Sequence, residues 1–218
     1  MVTTYRDSHG KALTDYPRPS VAVDTAVLTV ADGSLCAVLV EDGRDHATSR
    51  LPGTFLHEGE MLADAVRRSL ASKAGLGGLS PVQLHVFDAL DRDERGWVLS
   101  VAHLIAVPAA SLGDALMSPV TEVGPLAYDH AAILALAVAR LRDEYREHPD
   151  PWRLLGDGPF TLLELERLHR AVDPERPGGK DTFRRLMEPQ LIEVGGVRAG
   201  TVGKPARLFT HPTAQEAS

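Results

Sequence analysis

Apolar residues in the first half of the chain fall into short runs rich in Val, Leu and Ala. Two such runs, 20–30 and 35–40, are separated by Asp32-Gly33, a pair typical of a tight hairpin turn. Two further apolar runs, 84–90 and 98–107, follow later in the chain. Strands interrupted by one early helix predict an α+β sandwich in which helices cover a β-sheet.

Apolar residues three or four positions apart predict two helices in the same region. The first covers 61–74 and ends at Gly75, and the second covers 130–146 with Asp129 as its N-cap. The residues expected to face the core are Leu62, Val66 and Leu70 in the first helix and Ile133, Ala137 and Leu141 in the second.

A second unit is predicted from Phe160 onwards. Thr161 and Glu164 have the spacing of a capping box, a helix-start signal in which each side chain bonds the other residue's backbone amide. A turn then leads to a short helix beginning near Asp181, and a glycine-rich loop at 195–204 separates two apolar runs. Helix, turn, helix and hairpin is the order of a winged helix, which places its second helix in the major groove of DNA. The alternative is a small dimerisation module that contacts only protein.

The short helix near Asp181 is expected to anchor itself through Phe183, Leu186 and Met187 and to present its other faces to DNA. The residues expected to contact DNA are Lys180, Thr182, Arg184 and Arg185 in this helix and Arg198, Lys204 and Arg207 in the wing.

The charge of the chain is distributed unevenly. The net charge is −7, yet residues 1–175 carry 16 Lys and Arg against 26 Asp and Glu, whereas 176–211 carry seven against three. A small basic region at the end of an acidic chain is typical of a localised nucleic-acid contact. A solvated charged surface with no partner is the alternative interpretation.

Composition sets wider bounds. A length of 218 residues suits one large domain or two small ones, and no apolar run approaches the roughly 18 residues needed to span a bilayer. A signal segment is also absent from the N-terminal residues, so we expect a cytoplasmic protein without a membrane partner. Cys36 is the single cysteine, and the nine histidines lack metal-ligand spacing, so neither a metal nor another cofactor is expected.

The most informative stretch is 51–60, Leu-Pro-Gly-Thr-Phe-Leu-His-Glu-Gly-Glu, together with the helix that follows it. It resembles a Nudix box, whose pattern is a glycine, five residues, a glutamate, seven residues and then Arg-Glu-apolar-x-Glu-Glu-x-Gly-apolar. The residues that match are Glu60, Arg68, Leu70, Gly75 and Leu76. The residues that depart from the pattern are Thr54, in place of the glycine, and Ser69, Ser72 and Lys73, in place of three glutamates.

The missing glutamates have a chemical consequence. Positions 68, 69, 72 and 73 share a helix face, which holds magnesium in this family. Two serines and a lysine offer that ion no anionic ligand, so we expect a site that binds without turnover and has no catalytic residues. Two alternatives are a slow hydrolase that recruits Glu58 or Asp91, and an ordinary amphipathic helix without a ligand.

The resemblance extends over nearly the whole chain. Beyond the box, the matching segments are 16–21, 127–134, 160–162, 183–185 and 203–209. Their order resembles that of the Nudix-related transcriptional regulators. The resemblance implies a Nudix-like α/β/α sandwich over 1–147, including a linker helix at about 129–146, a winged helix-turn-helix domain over 157–211 and a disordered tail over 212–218.

The resemblance also implies a function. The implied protein is a homodimeric repressor of NAD metabolism that binds a pseudo-palindromic operator and is released by ADP-ribose or a related nucleoside diphosphate sugar. Arg68 and Lys73 would then hold the diphosphate through charge-assisted hydrogen bonds. A salt bridge from Arg68 to Glu58 or Glu60 is the alternative role for that arginine. The full set of expected ligand-binding residues is Arg50, Phe55, Glu58, Arg68 and Lys73.

Overall fold

The computed structural model describes residues 5–42, 45–198 and 205–212, with their side chains except at 42, 45–47, 197 and 198. The strands are β1 (Ser20–Ala31), β2 (Ser34–Val38), β3 (Val40–Asp42), β4 (Asp45–Arg50), β5 (Gly53–Phe55), β6 (Val82–Phe87), β7 (Val98–Ala106), β8 (Met117–Pro119), β9 (Ile192–Arg198) and β10 (Ala206–Thr210). The helices are α1 (Leu62–Ala74), α2 (His130–Glu147), α3 (Leu162–Val172) and α4 (Lys180–Met187). Within the described residues, no helix has the length and apolar character needed to cross a membrane.

The main sheet is built around β1. Its strand order is β6-β7-β1-β2-β8, with β5 pairing β1 beyond the end of β2. The β1–β7 pair is parallel and the others are antiparallel. Asp32 and Gly33 join β1 to β2 with φ values of 49° and 75°, the left-handed geometry that a two-residue hairpin requires. The predicted hairpin is confirmed.

Helices cover both faces of this sheet because successive residues of β1 point to opposite sides. Val23 and Val27 pack with Val66 and Leu70 of α1 on one face. On the other face, Ala26 and Leu28 belong to the same cluster as the buried α2 residues Ile133, Ala137 and Leu141. The predicted α/β/α sandwich is therefore confirmed.

The second unit contains α3, α4 and the β9–β10 hairpin, in the predicted winged-helix order. Its first helix begins with the expected capping box, since the Glu164 amide donates to the Thr161 hydroxyl at 3.2 Å and the Thr161 amide donates to Glu164 at 2.7 Å. Phe160 pairs with Phe209 of β10. This pairing ties the start of the unit to its last strand.

The packing between the two units is continuous. Buried residues of the sheet, of α2 and of the winged helix form one apolar cluster, which includes Leu141, Leu165 and Phe183. At the end of α2, the Arg176 guanidinium donates to the backbone carbonyl of Tyr145 at 2.7 Å and lies 3.1 Å from His169 Nδ1. The end of α2 is therefore connected to α3 and to the segment that leads into α4.

Three sequence predictions need correction. Leu186 is 47% exposed, whereas Phe183 and Met187 are buried, so only two of the three expected anchors of α4 face the core. The strand predicted over 84–90 runs instead over β6, which ends at Phe87. Asp129 does occupy the N-cap position of α2, but its side chain makes no capping hydrogen bond.

The expected disordered tail, apart from its first residue, lies outside the described residues, as does most of the wing tip.

Candidate functional site

A small cavity of about 120 Å³ lies where β1, β5 and the end of α1 meet the start of α2. The cationic and aromatic side chains that line it are Arg50, Lys73, Arg92, Arg95, Phe55 and Tyr128. A wider cleft of about 910 Å³ adjoins it and shares Arg50 and Lys73. Another cleft of about 640 Å³ adjoins it on the side of Arg92 and Tyr128. Asp24 and Asp93 line it as well, so four cationic side chains against two carboxylates make the cavity a net cationic junction between two larger clefts.

Arg68, an expected ligand residue, makes four hydrogen bonds within the protein. Its guanidinium donates to both carboxylate oxygens of Glu60 at 2.8 Å, to the Thr54 hydroxyl at 3.1 Å and to the Phe55 carbonyl at 2.9 Å. The bonds from Arg68 lower the pKa of Glu60 to about 2. The salt bridge that was the alternative role for Arg68 is therefore present, and Arg68 holds β5 against α1. Glu58 is exposed on the same loop and does not line the cavity.

The three positions that lack glutamates do not form one open face. Ser69 is buried, and its hydroxyl has no hydrogen-bond partner among the described residues. The Ser72 hydroxyl donates to the Arg68 carbonyl at 2.7 Å. Of the four positions expected to share a site, Lys73 alone lines the cavity. The helix face enters the core at Ser69, so of these positions the structure brings only Lys73 to the cavity.

Lys73 points across the cavity mouth and donates to the backbone carbonyl of Gly53. Partial desolvation lowers the pKa of Lys73, and the positive charge of Arg50 adds to this effect. The donor set at the former metal face is one lysine and two hydroxyls, which does not fit magnesium. Within the described residues, no three histidine, cysteine or carboxylate side chains converge as a metal-ligand group.

Asp24, buried in the middle of β1, is the centre of a polar network that the sequence predictions did not include. Its carboxylate accepts from the Ser100 hydroxyl at 2.5 Å and lies 3.3 Å from His130 Nε2. Burial raises the pKa of Asp24, but the His130 and Ser100 hydrogen bonds outweigh it and the pKa is lowered. The available signal was a carboxylate in an otherwise apolar strand, because a buried charge requires partners.

The tautomer of His130 follows from its two contacts. The Leu51 amide donates to His130 Nδ1 at 2.9 Å, so this nitrogen is the acceptor and carries no proton. A neutral ring therefore bears its hydrogen on Nε2, which faces Asp24. His130 is the first residue of α2, so this contact connects the cavity wall to that helix.

Arg92 makes the second connection to α2. Its guanidinium donates to the two carboxylate oxygens of Asp129 at 2.9 and 2.6 Å, and it lies 3.7 Å from Asp24. Only 3% of the Arg92 side chain is exposed. Arg92, one of the arginines that line the cavity, therefore holds the carboxylate located immediately before α2.

Two aromatic rings flank Arg95, another cationic side chain of the cavity. The Arg95 guanidinium lies 5.0 Å from the Phe55 ring centre and 4.8 Å from that of Tyr128, within cation–π range. Asp93 accepts hydrogen bonds from Arg95 at 2.8 and 2.6 Å. Tyr128 has a φ of +56°, a left-handed conformation that is strained for an aromatic residue. Strain of this kind is often found at ligand sites and switch regions.

The glycine at position 53 is required by the close approach of β5 to β1. A Cβ atom at Gly53 would lie 1.8 Å from Asp24 Oδ1, and this carboxylate is already held by Ser100 at Oδ2 and by His130 at Oδ1. Thr54 follows it and accepts the hydrogen bond from Arg68. The substitution of the usual box glycine by Thr54 thus supplies an acceptor for Arg68.

The expected DNA-contact residues divide into two groups. Arg184 pairs with Glu188 at 2.5 Å, and Arg207 pairs with the same Glu188 and, at 2.7 Å, with Glu193. Lys180, Thr182 and Arg185 are exposed on α4 and have no ion-pair or side-chain hydrogen-bond partner among the described residues. The Arg198 side chain and Lys204 lie outside the described part of the chain.

Comparisons with known proteins place these features in context. No protein-family model matches the chain. The chain is similar to the ADPR responsive transcriptional repressor NtrR of Acinetobacter baylyi, with 26% identity over 208 residues that cover 89% of this chain and 83% of that protein. It is 30% identical to the ADP-ribose pyrophosphatase of Methanocaldococcus jannaschii over 125 residues, covering 55% of this chain and 73% of that protein.

A solved structure is similar over nearly the same extent. The crystal structure of Shewanella oneidensis NrtR has a TM-score of 0.70 and 30% identity, covering 88% of this chain and 94% of that one. The same protein complexed with a 27mer DNA has a TM-score of 0.69 and 28% identity over 88% of this chain and 93% of that one. Its NUDIX domain complexed with ADP ribose has a TM-score of 0.53 and 27% identity, covering 61% of this chain and 95% of that one.

Proposed function

The chain belongs to the Nudix-related transcriptional regulators, and on that basis we propose that it is a DNA-binding repressor controlled by ADP-ribose or a related nucleoside diphosphate sugar. The similar regulator from Shewanella oneidensis has been crystallised with DNA and, as its NUDIX domain, with ADP ribose. We propose the same two ligands for this chain, which would act as a cytoplasmic homodimer on a pseudo-palindromic operator, with genes of NAD metabolism as its targets.

The observation that carries this proposal is the cationic cavity. A volume of about 120 Å³ is too small for a whole nucleotide sugar, since ligand pockets usually measure roughly 300–1,000 Å³. The flanking clefts of about 910 and 640 Å³ share its walls. A diphosphate in the cavity, between Lys73 and Arg92, would allow the two organic ends of the ligand to extend into these clefts.

Lys73 is the best-placed cation for the diphosphate. Its nitrogen donates to the Gly53 carbonyl, and no carboxylate forms an ion pair with it among the described residues. Desolvation without an anionic partner disfavours its charge, as the lowered pKa indicates. A bound diphosphate would supply the missing anion. Arg50 lines the same wall, and Phe55 offers an aromatic surface beside it.

The same cavity gives a physical route from ligand to DNA. Arg92 holds Asp129, whose side chain is thereby kept from capping α2. A diphosphate that binds Arg92 competes with Asp129 for the guanidinium, which would release the start of α2 from this ion pair. The other end of α2 contacts Arg176, so a shift of this helix would reach the winged helix.

We propose that the chain is not an enzyme. Hydrolysis in Nudix enzymes requires the carboxylates that hold magnesium, and Ser69, Ser72 and Lys73 replace them in this chain. The lysine amine also adds positive charge where a metal ion would have to bind. Effector binding without turnover is the expected behaviour of such a site.

The test is a DNA-binding titration with the full chain. Duplexes from upstream of its own operon are bound at several salt concentrations, with and without ADP-ribose and a panel of nucleotide sugars. We expect specific binding whose logarithm falls linearly with log salt, and release by one member of the panel. Equal affinity for the operator and for unrelated DNA would contradict the proposal.

A hydrolase is the second candidate, because the chain is 30% identical to an ADP-ribose pyrophosphatase over 125 residues. Glu58 and Asp91, the carboxylates that could replace the lost ones, are both exposed and neither lines the central cavity. Magnesium-dependent release of AMP from ADP-ribose at rates approaching ~10 per second would favour this candidate.

A further inference from the structure

The leucine at position 186 is exposed on the helix that we assign to the major groove. Leu186 keeps 47% of its surface exposed, whereas Phe183 and Met187 on the same helix are 8% and 0% exposed. Burial of such a side chain against an apolar surface is favourable, so Leu186 is available for contact with an apolar group of a partner.

The neighbours of Leu186 define one edge of α4. Residues three and four positions apart share a helix face, so Thr182, Arg185 and Leu186 lie together. Arg184 is on the other side of the helix, where it pairs with Glu188 at 2.5 Å. Glu188 also binds Arg207, so that side is occupied by an ion-pair chain. The edge containing Leu186 is therefore free of that ion-pair chain.

We propose that Leu186 packs against the 5-methyl group of a thymine in the major groove, beside a guanine read by Arg185. This inference rests on the proposed DNA-binding function. The thymine methyl is the apolar group that base pairs display in the major groove, and arginine pairs with the O6 and N7 atoms of guanine. An exposed leucine next to an unpaired arginine matches two adjacent bases of those kinds.

Charge favours DNA over a second copy of the chain as the partner of this edge. Lys180, Arg184 and Arg185 give α4 an excess of positive charge over Asp181. Two copies of this helix packed through Leu186 would bring like charges together, whereas phosphate groups would neutralise them. A polyanion with an apolar group on its base edges satisfies both the leucine and the cations.

The experiment removes the methyl group from the DNA and the side chain from the protein. Each thymine of the footprinted operator is replaced by deoxyuridine, and affinities are measured for the parent protein, Leu186→Ala and Leu163→Ala. Leu163 is the matched control because it is 48% exposed on α3 of the same unit. From the value of a buried methylene, we expect a loss of about three- to fourfold for the parent at one thymine per half-site.

The pattern across variants decides the proposal. Leu186→Ala should bind the thymine operator more weakly than the parent and should lose nothing further when that thymine becomes deoxyuridine, whereas Leu163→Ala should keep the full deoxyuridine effect. The inference is overturned if the parent binds the operator with an affinity that no deoxyuridine changes. It is also overturned if deoxyuridine lowers the affinity of Leu186→Ala by the same factor as that of the parent. Failure of the parent to bind any operator would instead remove the DNA-binding function itself.

Discussion

Arg92 holds Asp129 through two hydrogen bonds of 2.9 and 2.6 Å, at the residue that immediately precedes α2. Aspartate at an N-cap position normally accepts from the first amides of its helix, but this carboxylate makes no capping bond and accepts from Arg92 instead. The ion pair therefore places one group, Arg92, in contact with both the ligand site and the start of the helix that leads to the winged helix.

Neutralising Asp129 should tighten effector binding. In Asp129→Asn the effector loses its main anionic competitor for the Arg92 guanidinium, and no capping bond is lost because the Asp129 side chain makes none. We expect effector affinity to rise about three- to tenfold, or roughly 0.7–1.4 kcal/mol, in calorimetric titrations. Asp88→Asn removes the same charge from an exposed site outside the cavity and is the control. Unchanged or weaker binding in Asp129→Asn would show that the effector does not compete for Arg92.

Reversing the charge at Lys73 should have the opposite effect. Lys73→Glu places a carboxylate where the diphosphate is proposed to bind, so effector affinity should fall at least about tenfold, or about 1.4 kcal/mol. Operator affinity without effector should remain unchanged because the substitution lies outside the winged helix. Arg67→Glu makes the same charge change on the exposed side of α1. Equal losses in both variants would indicate only a general electrostatic effect.

The two adjacent arginines of α4 should differ in their contribution to operator binding. Arg185 is exposed without an intramolecular ion pair among the described residues, whereas Arg184 is held by Glu188. Arg185→Ala should reduce the free energy of operator binding by ~1–3 kcal/mol and relax the sequence preference. Arg184→Ala should reduce it by less, and by the same amount for every DNA sequence. Footprinting and binding at several salt concentrations measure both effects, and a larger loss for Arg184→Ala would reverse the assignment.

A methyl group at position 53 should disrupt the network around Asp24. The Cβ of Gly53→Ala would lie 1.8 Å from the Asp24 carboxylate, so the carboxylate or β5 must move. We expect a loss of ~1–3 kcal/mol in the free energy of unfolding, as for other overpacked sites, together with weaker effector binding. Gly77→Ala is the control because its Cβ would meet nothing within 4 Å. Similar stabilities for the two variants in urea titrations would contradict the prediction.

Local signals in the sequence were sufficient for much of the fold. The Asp32-Gly33 hairpin, the Thr161 capping box and the end of α1 at Gly75 each depend on neighbouring residues, and each prediction was confirmed. The inward face of α4 was harder to predict, since Leu186 and Met187 are three and four positions from Phe183 and both spacings suit a helix face. Tertiary packing places Phe183 5.0 Å from the His169 ring, which leaves Leu186 outside.

The candidate site depends on contacts that are distant in the sequence. Asp24 and Arg92 lie on different elements, and no local pattern brings them to Asp129 or His130. The box motif did indicate Lys73, because aligning the Nudix pattern with this sequence fixes which motif position that lysine occupies. The motif could not decide between a ligand and Glu60 as the partner of Arg68, since that choice depends on the path of the loop.

Stability should decrease in mild acid because of His169, a buried residue that joins α3 to the end of α2. Burial, helped by the charge of Arg176, lowers the pKa of His169 to about 4 from an ordinary value near 6.5. The unfolded chain takes up a proton as the pH falls through about 6.5, but the folded protein resists it until about 4, so stability is lost across that window. This difference in pKa corresponds to about 3 kcal/mol in the free energy of unfolding.

The structure explains why the neutral ring is required. His169 Nε2 faces the Pro149 carbonyl as donor, while Nδ1 lies 3.1 Å from the Arg176 guanidinium and must accept. Protonation of Nδ1 would place two cations in contact. In urea titrations between pH 7.5 and 4.5, the parent should lose more stability than His169→Gln, which has no titrating ring. His148→Gln, at an exposed histidine, should follow the parent. Parallel curves for His169→Gln and the parent would mean that His169 does not supply this pH dependence.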